Sequence, residues 1–117
     1  MSVANAQTLH DGTPLFHWSP REVRDSITAS GLRIRQPSPQ GESFRMPYVA
    51  FGLDPMAAWS MSGQAFRVSR TWDLWMAHYG NLRGVCEVIP YDDQSPREVR
   101  CYRSVRQVQY VATRGVR

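Results

Sequence analysis

The segment 47–63, PYVAFGLDPMAAWSMSG, is the stretch from which the fold of the whole chain is best predicted. Tyr48–Phe51 is β-branched and aromatic and is closed by a glycine, which is typical of a short buried strand. Asp54 supplies an N-cap carboxylate, and Pro55 suits the first helical position because no helical hydrogen bond is lost there. A helix over 56–62, ended by Gly63, completes a strand, a tight turn and a capped helix.

The first thirty residues repeat this plan. Leu15–Trp18 has the composition of a strand, and the residues that follow it, Ser19–Glu22, match a capping box with proline at the first helical position. Val23 and Ile27 supply an apolar helical face, and Gly31 is a natural C-terminal stop. We therefore predict a second strand and helix here.

The remainder of the chain is dominated by strands. We predict them at 71–79, 85–89, 97–103 and 108–113, with a turn at 81–84 and loops at 33–45 and 91–96. A helix is the alternative for 71–79. Because both helices come early and strands dominate the end, the order favours an α+β fold with a mixed or antiparallel sheet. We expect residues 1–117 to form one domain, with residues 1–12 loose.

Composition restricts the class of protein. The chain is 42% hydrophobic and 21% charged, as globular domains are, and no apolar run approaches the roughly 20 residues that a membrane span requires. The N-terminus lacks the apolar region of a signal peptide, so we predict a cytoplasmic protein with no membrane partner. Cys86 and Cys101 lack the paired spacing of a zinc site. We expect reduced core thiols, with a disulfide as the alternative.

The net charge is +4, and all 14 basic residues are arginine. A GC-rich coding sequence is one explanation for this arginine usage. Affinity for phosphate-bearing partners is the other, because the guanidinium group binds phosphate through two parallel hydrogen bonds. The arginines are spread along the chain, so the sequence by itself defines no nucleic-acid-binding stripe.

Glu98 and His17 are the most informative polar residues. In the segment 97–103, Glu98, Arg100 and Tyr102 alternate to one face of the predicted strand. A carboxylate in such a strand is either a solvated salt-bridge partner or is positioned for chemistry, because its burial costs desolvation energy. His17 ends a strand just before a helix, where a structural hydrogen bond is the alternative to a functional role. His10 and His78 lack ligand-type neighbours, so no metal site is expected.

Three stretches together resemble the ADP-ribosyltransferase superfamily, in particular its His-Tyr-Glu branch and the small phage or bacterial members of it. They are 17–19 (HWS), 48–58 (YVAFGLDPMAA) and 97–103 (REVRCYR), within a resemblance that extends over residues 14–113. It implies an α+β fold with a split sheet and transfer of ADP-ribose from NAD to a protein or nucleic-acid acceptor. Pro96 departs from the pattern of arginine-directed members, which carry Glu or Gln there.

The resemblance also implies roles for individual residues. Glu98 is the implied catalytic carboxylate, and the NAD-binding residues would be His17, Trp18, Ser19, Tyr48, Phe51 and Arg45. Arg21, Arg24 and Arg45 are candidates for the pyrophosphate by position. A carboxylate suits this chemistry because cleavage of the nicotinamide–ribose bond passes through an oxocarbenium-like state.

Two other functions are compatible with the sequence. One is a non-catalytic module of the same fold that binds NAD or a partner, for instance an inhibitor of host machinery. The other is an enzyme related to RNA 2′-phosphotransferases, which the basic pI of about 9.6 would suit. The sequence leaves the acceptor and the oligomeric state open.

Overall fold

The computed structural model describes residues 9–34, 48–61, 71–89 and 98–115. Within these ranges the chain forms six strands, β1 (Pro14–Pro20), β2 (Val49–Gly52), β3 (Thr71–His78), β4 (Cys86–Ile89), β5 (Glu98–Cys101) and β6 (Gln109–Gly115). Two α-helices, α1 (Arg24–Ser30) and α2 (Pro55–Met61), and two 3-10 turns, Arg21–Val23 and Tyr79–Asn81, complete the description. Neither described α-helix has the length and apolarity needed to cross a membrane.

All six strands belong to one sheet in the order β4-β5-β2-β1-β3-β6, and every neighbouring pair is antiparallel. The predicted α+β class and the antiparallel alternative for the sheet are therefore confirmed. Tyr79 already belongs to a 3-10 turn, and the rest of the predicted segment 71–79 is the strand Thr71–His78, not a helix. It pairs on both sides, and these cross-strand contacts favour the extended form.

The sheet is divided in the middle. Strands β1 and β3 pair over seven residues, whereas β1 and β2 share the single pair Phe16–Gly52. On the other side, β2 pairs with β5 along its whole length. The sheet therefore consists of two three-stranded halves, β4-β5-β2 and β1-β3-β6, which diverge beyond the Phe16–Gly52 pair.

The two faces of the sheet have different surroundings. On one face, which we call the core face, Leu15, Phe51, Val99, Cys101 and Trp75 pack with Ile27 of α1 and with the bridged residues Leu32 and Val105. The opposite face carries α2, because a Cβ added to Gly52 would lie 2.5 Å from the backbone nitrogen of Ala58. We call this second face, which includes Phe16, Trp18, Gly52, Glu98 and Arg100, the α2 face.

The strand–turn–helix prediction for the central segment is confirmed where the structure describes it. The Asp54 carboxylate accepts a hydrogen bond from the amide of Ala57 at 2.8 Å, as an N-cap does. The helix runs over Pro55–Met61, and its predicted glycine stop at position 63 lies outside the described residues.

The prediction of a capping box at Ser19–Glu22 is wrong. Ser19 belongs to β1 and pairs with Asp73, and Pro20, at the start of the following 3-10 turn, makes no side-chain cap hydrogen bond. Strand pairing with β3 extends to the Pro20–Trp72 pair, so the chain stays extended where the local signal favoured a helix. The α-helix begins only at Arg24, and Gly31 ends it as predicted, with a φ of 78°.

The expected loose N-terminus covers residues 1–12, of which 1–8 lie outside the described part. Residues 9–12 lie against the 3-10 turn at 79–81, since the amide of Gly80 donates to the Asp11 carbonyl at 2.9 Å. Arg83 also pairs with the Asp11 carboxylate. Of the loops predicted at 33–45 and 91–96, residues 35–45 and 91–96 lie outside the described residues.

Candidate functional site

Glu98 is the first residue of β5, and only 5% of it is exposed. Its carboxylate accepts hydrogen bonds from Arg100, at 2.9 Å from Nε and 3.3 Å from Nη2. This pairing raises the pKa of the Arg100 guanidinium above its usual range. The predicted shared face of these two residues is confirmed, and their charges offset the cost of burying the carboxylate.

Arg100 also connects Glu98 to an aromatic pair. Its guanidinium carbon lies 4.6 Å from the centre of the Tyr48 ring, and the Tyr48 and Tyr102 rings meet edge to face at 5.7 Å. The Tyr102 hydroxyl donates to the Glu87 carboxylate at 2.9 Å, and this bond raises the pKa of Tyr102. Glu98, Arg100, Tyr48, Tyr102 and Glu87 thus form a continuous row along the α2 face.

The predicted site residues divide between the two faces of the sheet. Directly paired residues of antiparallel strands project to the same side, and successive residues alternate. Since Phe16 pairs with Gly52 and Gly52 pairs with Glu98, Trp18 shares the face of Glu98, whereas His17 and Ser19 alternate to the core face. The structure therefore brings Tyr48 and Glu98 together through Arg100, and it does not place His17 and Ser19 on that face.

His17 lies at the point where the two halves of the sheet diverge. Its ring nitrogen Nδ1 is 2.8 Å from the carbonyl oxygen of Ala50 on β2, and its ring centre is 5.8 Å from that of Phe51. If the β1–β2 ladder continued, Ala50 would face Trp18 instead. His17 therefore adds a side-chain hydrogen bond between β1 and β2 beside their single backbone pair.

Ser19 and Phe51 are buried in the core face, and Phe51 is fully inaccessible. In this structure a molecule in a surface cleft would not contact the Phe51 ring. Trp18 lies on the α2 face, where its indole Nε1 donates to the carbonyl oxygen of Pro55 at 2.9 Å. This bond attaches the first residue of α2 to β1.

The arginines named for the pyrophosphate have different positions. Arg24 holds the fully buried Asp73 carboxylate with two hydrogen bonds of 2.8 and 2.7 Å. This contact, with a further bond from Thr113 at 2.8 Å, lowers the pKa of Asp73. Arg24 is therefore occupied, Arg21 is exposed, and Arg45 lies outside the described residues.

Trp59 was not recognised from the sequence as a candidate. It is partly exposed on α2, meets the Trp18 ring edge to face at 5.1 Å and the Trp72 ring at 6.0 Å, and carries the Arg114 guanidinium 4.1 Å from its ring centre. The sequence places Trp59 three residues after the helix start Asp-Pro-Met, which is a signal that it lies on the helix. Only the folded structure shows that this face of the helix adjoins Trp18.

Among the described residues, no group of three or more His, Cys, Asp or Glu side chains is arranged to hold a metal ion. Comparison with protein-family models, curated proteins and solved structures finds no match for this chain. Function is therefore argued from the site itself, whose features are a buried carboxylate, the arginine that holds it, and aromatic rings on the same face.

Proposed function

We propose that this chain is an NAD-dependent ADP-ribosyltransferase that acts on a macromolecular acceptor, with Glu98 as its catalytic carboxylate. A cytoplasmic location remains the prediction made from the sequence. The proposal combines the resemblance of three sequence stretches with the geometry of the α2 face. Because His17, Ser19 and Phe51 lie on the core face, they are no longer proposed to contact NAD.

Glu98 is the observation that carries the proposal. A carboxylate that is 5% exposed at the start of an interior strand is costly, so its presence there calls for a structural or chemical reason. It stands on the face that also presents Tyr48 and Trp18, and aromatic rings of this kind suit the planar nicotinamide and adenine of NAD.

The division of the sheet supports the same proposal. The resemblance implies a split sheet, and the pairing of β1 with β2 through the single pair Phe16–Gly52 is compatible with that expectation. We assign to His17 the role of holding this opening through its bond to Ala50. In this assignment NAD lies against the α2 face. His17 and Ser19 lie on the opposite, core face and support the strand that carries the site.

The proposed reaction, which the resemblance implies, is cleavage of NAD with transfer of ADP-ribose to the acceptor. The bond between ribose C1′ and the nicotinamide nitrogen breaks, and nicotinamide leaves with the bonding electron pair. The Glu98 carboxylate holds the ribose 2′-hydroxyl and stabilises the positive charge that develops at C1′. A nucleophile of the acceptor then bonds to C1′ and loses its proton.

Arg100 favours a second candidate function. A guanidinium that binds both oxygens of Glu98 places a positive charge beside the site where another positive charge must develop. Catalysis therefore requires that NAD displace one of these hydrogen bonds. If the pair stays closed, the chain is a non-catalytic module that binds NAD or a partner.

NAD turnover by wild type, Glu98→Gln and Glu87→Gln, followed as transfer or slow hydrolysis, tests the proposal. Glu87→Gln is the matched control because Glu87 lies on the same face of the neighbouring strand and pairs in register with Arg100. We expect Glu98→Gln to lower the rate by about 10²–10³ and Glu87→Gln to lower it far less.

Binding measured by calorimetry separates the two candidate functions. Wild-type protein that binds NAD but never turns it over is the non-catalytic module. Full turnover in Glu98→Gln would show that another group carries the chemistry. If a folded wild-type protein neither binds nor cleaves NAD, the transferase and the NAD-binding module both fail, and of the two candidates only a partner-binding module is left.

A further inference from the structure

Three exposed arginines lie in the segments 31–34 and 103–106, which meet at a backbone bridge. Leu32 and Val105 form a two-residue bridge with backbone hydrogen bonds of 2.8 and 2.7 Å, and both side chains are buried. Arg33, Arg103 and Arg106 flank this bridge and are exposed. We call these three residues the arginine surface.

The members of the arginine surface differ from three other described arginines in having no carboxylate partner among the described residues. Arg24, Arg83 and Arg100 each hold a carboxylate. Within the described part of the chain, by contrast, no ion pair involves any member of the arginine surface. Guanidinium groups without carboxylate partners attract phosphate, which they bind through parallel hydrogen bonds.

The backbone beneath the arginine surface is held closely. Gly31 has a φ of 78°, and a Cβ there would lie 2.3 Å from the carbonyl oxygen of Val105 and 2.6 Å from the Cα of Arg106. Arg33 and Arg106 are diagonal neighbours across the bridge, at a spacing of about 7–8 Å between such positions. Their charges are therefore presented from a fixed base, which reduces the entropy lost on binding.

An exposed aromatic ring adjoins this surface. Tyr102 immediately precedes Arg103 and is 46% exposed, while its hydroxyl is held by Glu87 and its ring rests against Tyr48. A fixed ring beside basic groups is the combination that single-stranded nucleic acids bind, with bases stacked on the ring and phosphates on the arginines.

The arginine surface is also connected to the proposed catalytic carboxylate. Glu98, Arg100 and Tyr102 follow one another along the α2 face, and Tyr102 lies about 13 Å from Glu98 at the usual rise of a strand. A strand of a few nucleotides bound at Tyr102 and the arginine surface is long enough to reach Glu98.

We propose that the arginine surface and Tyr102 bind single-stranded nucleic acid, and that this strand is the acceptor of the ADP-ribose. The second half of this proposal depends on the proposed function, whereas the binding itself does not. Binding is therefore tested without NAD, so that its outcome is independent of turnover.

The probes are fluorescein-labelled 12-nucleotide single strands of DNA and of RNA, and the measurement is fluorescence anisotropy at several salt concentrations. Arg103→Ala should weaken binding several-fold. It should also make the slope of the logarithm of the binding constant against the logarithm of the salt concentration shallower by about 0.7, the value of one phosphate contact on a single strand. The triple substitution of Arg33, Arg103 and Arg106 by alanine should weaken it about a hundredfold or more. Tyr102→Ala should weaken binding about tenfold through lost stacking.

Arg21→Ala is the matched control, because it removes the same charge from another exposed arginine. We expect it to change affinity less than twofold. If it weakens binding as much as Arg103→Ala, only net charge is acting and the site does not exist. Absence of binding by folded wild type at low salt also overturns the proposal, and transfer to protein in that case would identify a protein acceptor.

Discussion

The Nδ1 nitrogen of His17 donates a hydrogen bond to the carbonyl oxygen of Ala50 at 2.8 Å. A side chain thereby joins β1 to β2 next to the single backbone pair between these strands, Phe16–Gly52. The bond requires the proton to be on Nδ1 when the ring is neutral. It also explains how two halves of a sheet diverge without leaving the Ala50 carbonyl unpaired.

His17→Ala should lower the free energy of unfolding by about 1–3 kcal/mol, because the Ala50 carbonyl loses its partner. Urea denaturation of wild type and variant measures the change. His10→Ala is the control, since His10 is exposed and its hydrogen bond to Thr13 is donated by the backbone nitrogen. Equal stability of His17→Ala and wild type would mean that water or a neighbouring group satisfies the carbonyl.

Gly52→Ala should displace α2 from the sheet. A Cβ at this position would lie 2.5 Å from the Ala58 nitrogen and 2.8 Å from its Cα, and both atoms belong to the helix backbone. We expect a loss of about 1–3 kcal/mol or more in the free energy of unfolding, as in other overpacked sites. Thermal or urea unfolding checks this.

Gly12→Ala is the matched substitution, because a Cβ at Gly12 meets nothing within 4 Å. It should leave stability within about 0.5 kcal/mol of wild type. A Gly52→Ala protein as stable as Gly12→Ala would show that α2 adjusts its position without cost.

The sequence predicted those parts of the fold that depend on local signals. The Asp54 cap, the Gly31 stop and the alternation of Glu98 with Arg100 all depend on neighbours within a few residues. The capping box at Ser19 failed because pairing with Asp73, far along the chain, outweighs a local preference for helix. Local signals of this kind lose to long-range strand pairing.

The sequence did not predict which residues share the face of the candidate site. His17 and Tyr48 lie at the ends of similar strand–helix units, and nothing local shows that the two strands present these residues to opposite faces. That outcome depends on the Phe16–Gly52 register. Trp59 was missed for a related reason, since its neighbours Trp18 and Trp72 come from two other elements.

Asp73→Asn should destabilise the protein by about 2–3 kcal/mol. The Asp73 side chain is fully buried and is held by Arg24, whose own side chain is 34% exposed, so the loss should fall below that of a fully buried pair. Asp25→Asn, an exposed carboxylate at the start of α1, is the control and should change stability little. If both substitutions lower the free energy of unfolding equally, the Arg24–Asp73 pair stabilises the fold no more than an exposed carboxylate does.

The same pair predicts a pH dependence. The pKa of Asp73 is lowered from its ordinary 3.8, chiefly by the hydrogen bond from Arg24. Folding therefore favours the charged form, and this stabilisation is complete above about pH 4 and is lost as the pH falls below it. The difference in unfolding free energy between wild type and Asp73→Asn should shrink from pH 6 to pH 3. An unchanged difference would contradict the assignment.

The Cys101 thiol predicts a second pH dependence, a loss of folding stability as the pH rises into the alkaline range. Burial, with the neighbouring Cys86 thiol, raises the pKa of Cys101 to about 12 from an ordinary 9.0. Folding favours the neutral thiol, so its contribution is complete below pH 9 and is lost as the pH rises toward 12. Wild type should lose stability between pH 8 and 10.5 relative to Cys101→Val, as measured by urea midpoints. Parallel pH profiles would refute this.

Tyr48 provides a test of ligand binding that does not depend on catalysis. Its ring lies against Arg100 at 4.6 Å and against Tyr102 at 5.7 Å, next to the carboxylate that we assign to the ribose. Tyr48→Ala should weaken NAD binding by roughly 1 kcal/mol or more, since a stacking surface is lost, whereas Tyr48→Phe keeps the ring and should bind nearly as wild type does. Calorimetric titration of the three folded proteins with NAD measures the difference. Equal affinity in Tyr48→Ala would exclude Tyr48 from the site, and a loss in Tyr48→Phe equal to that in Tyr48→Ala would assign the effect to the hydroxyl instead of the ring.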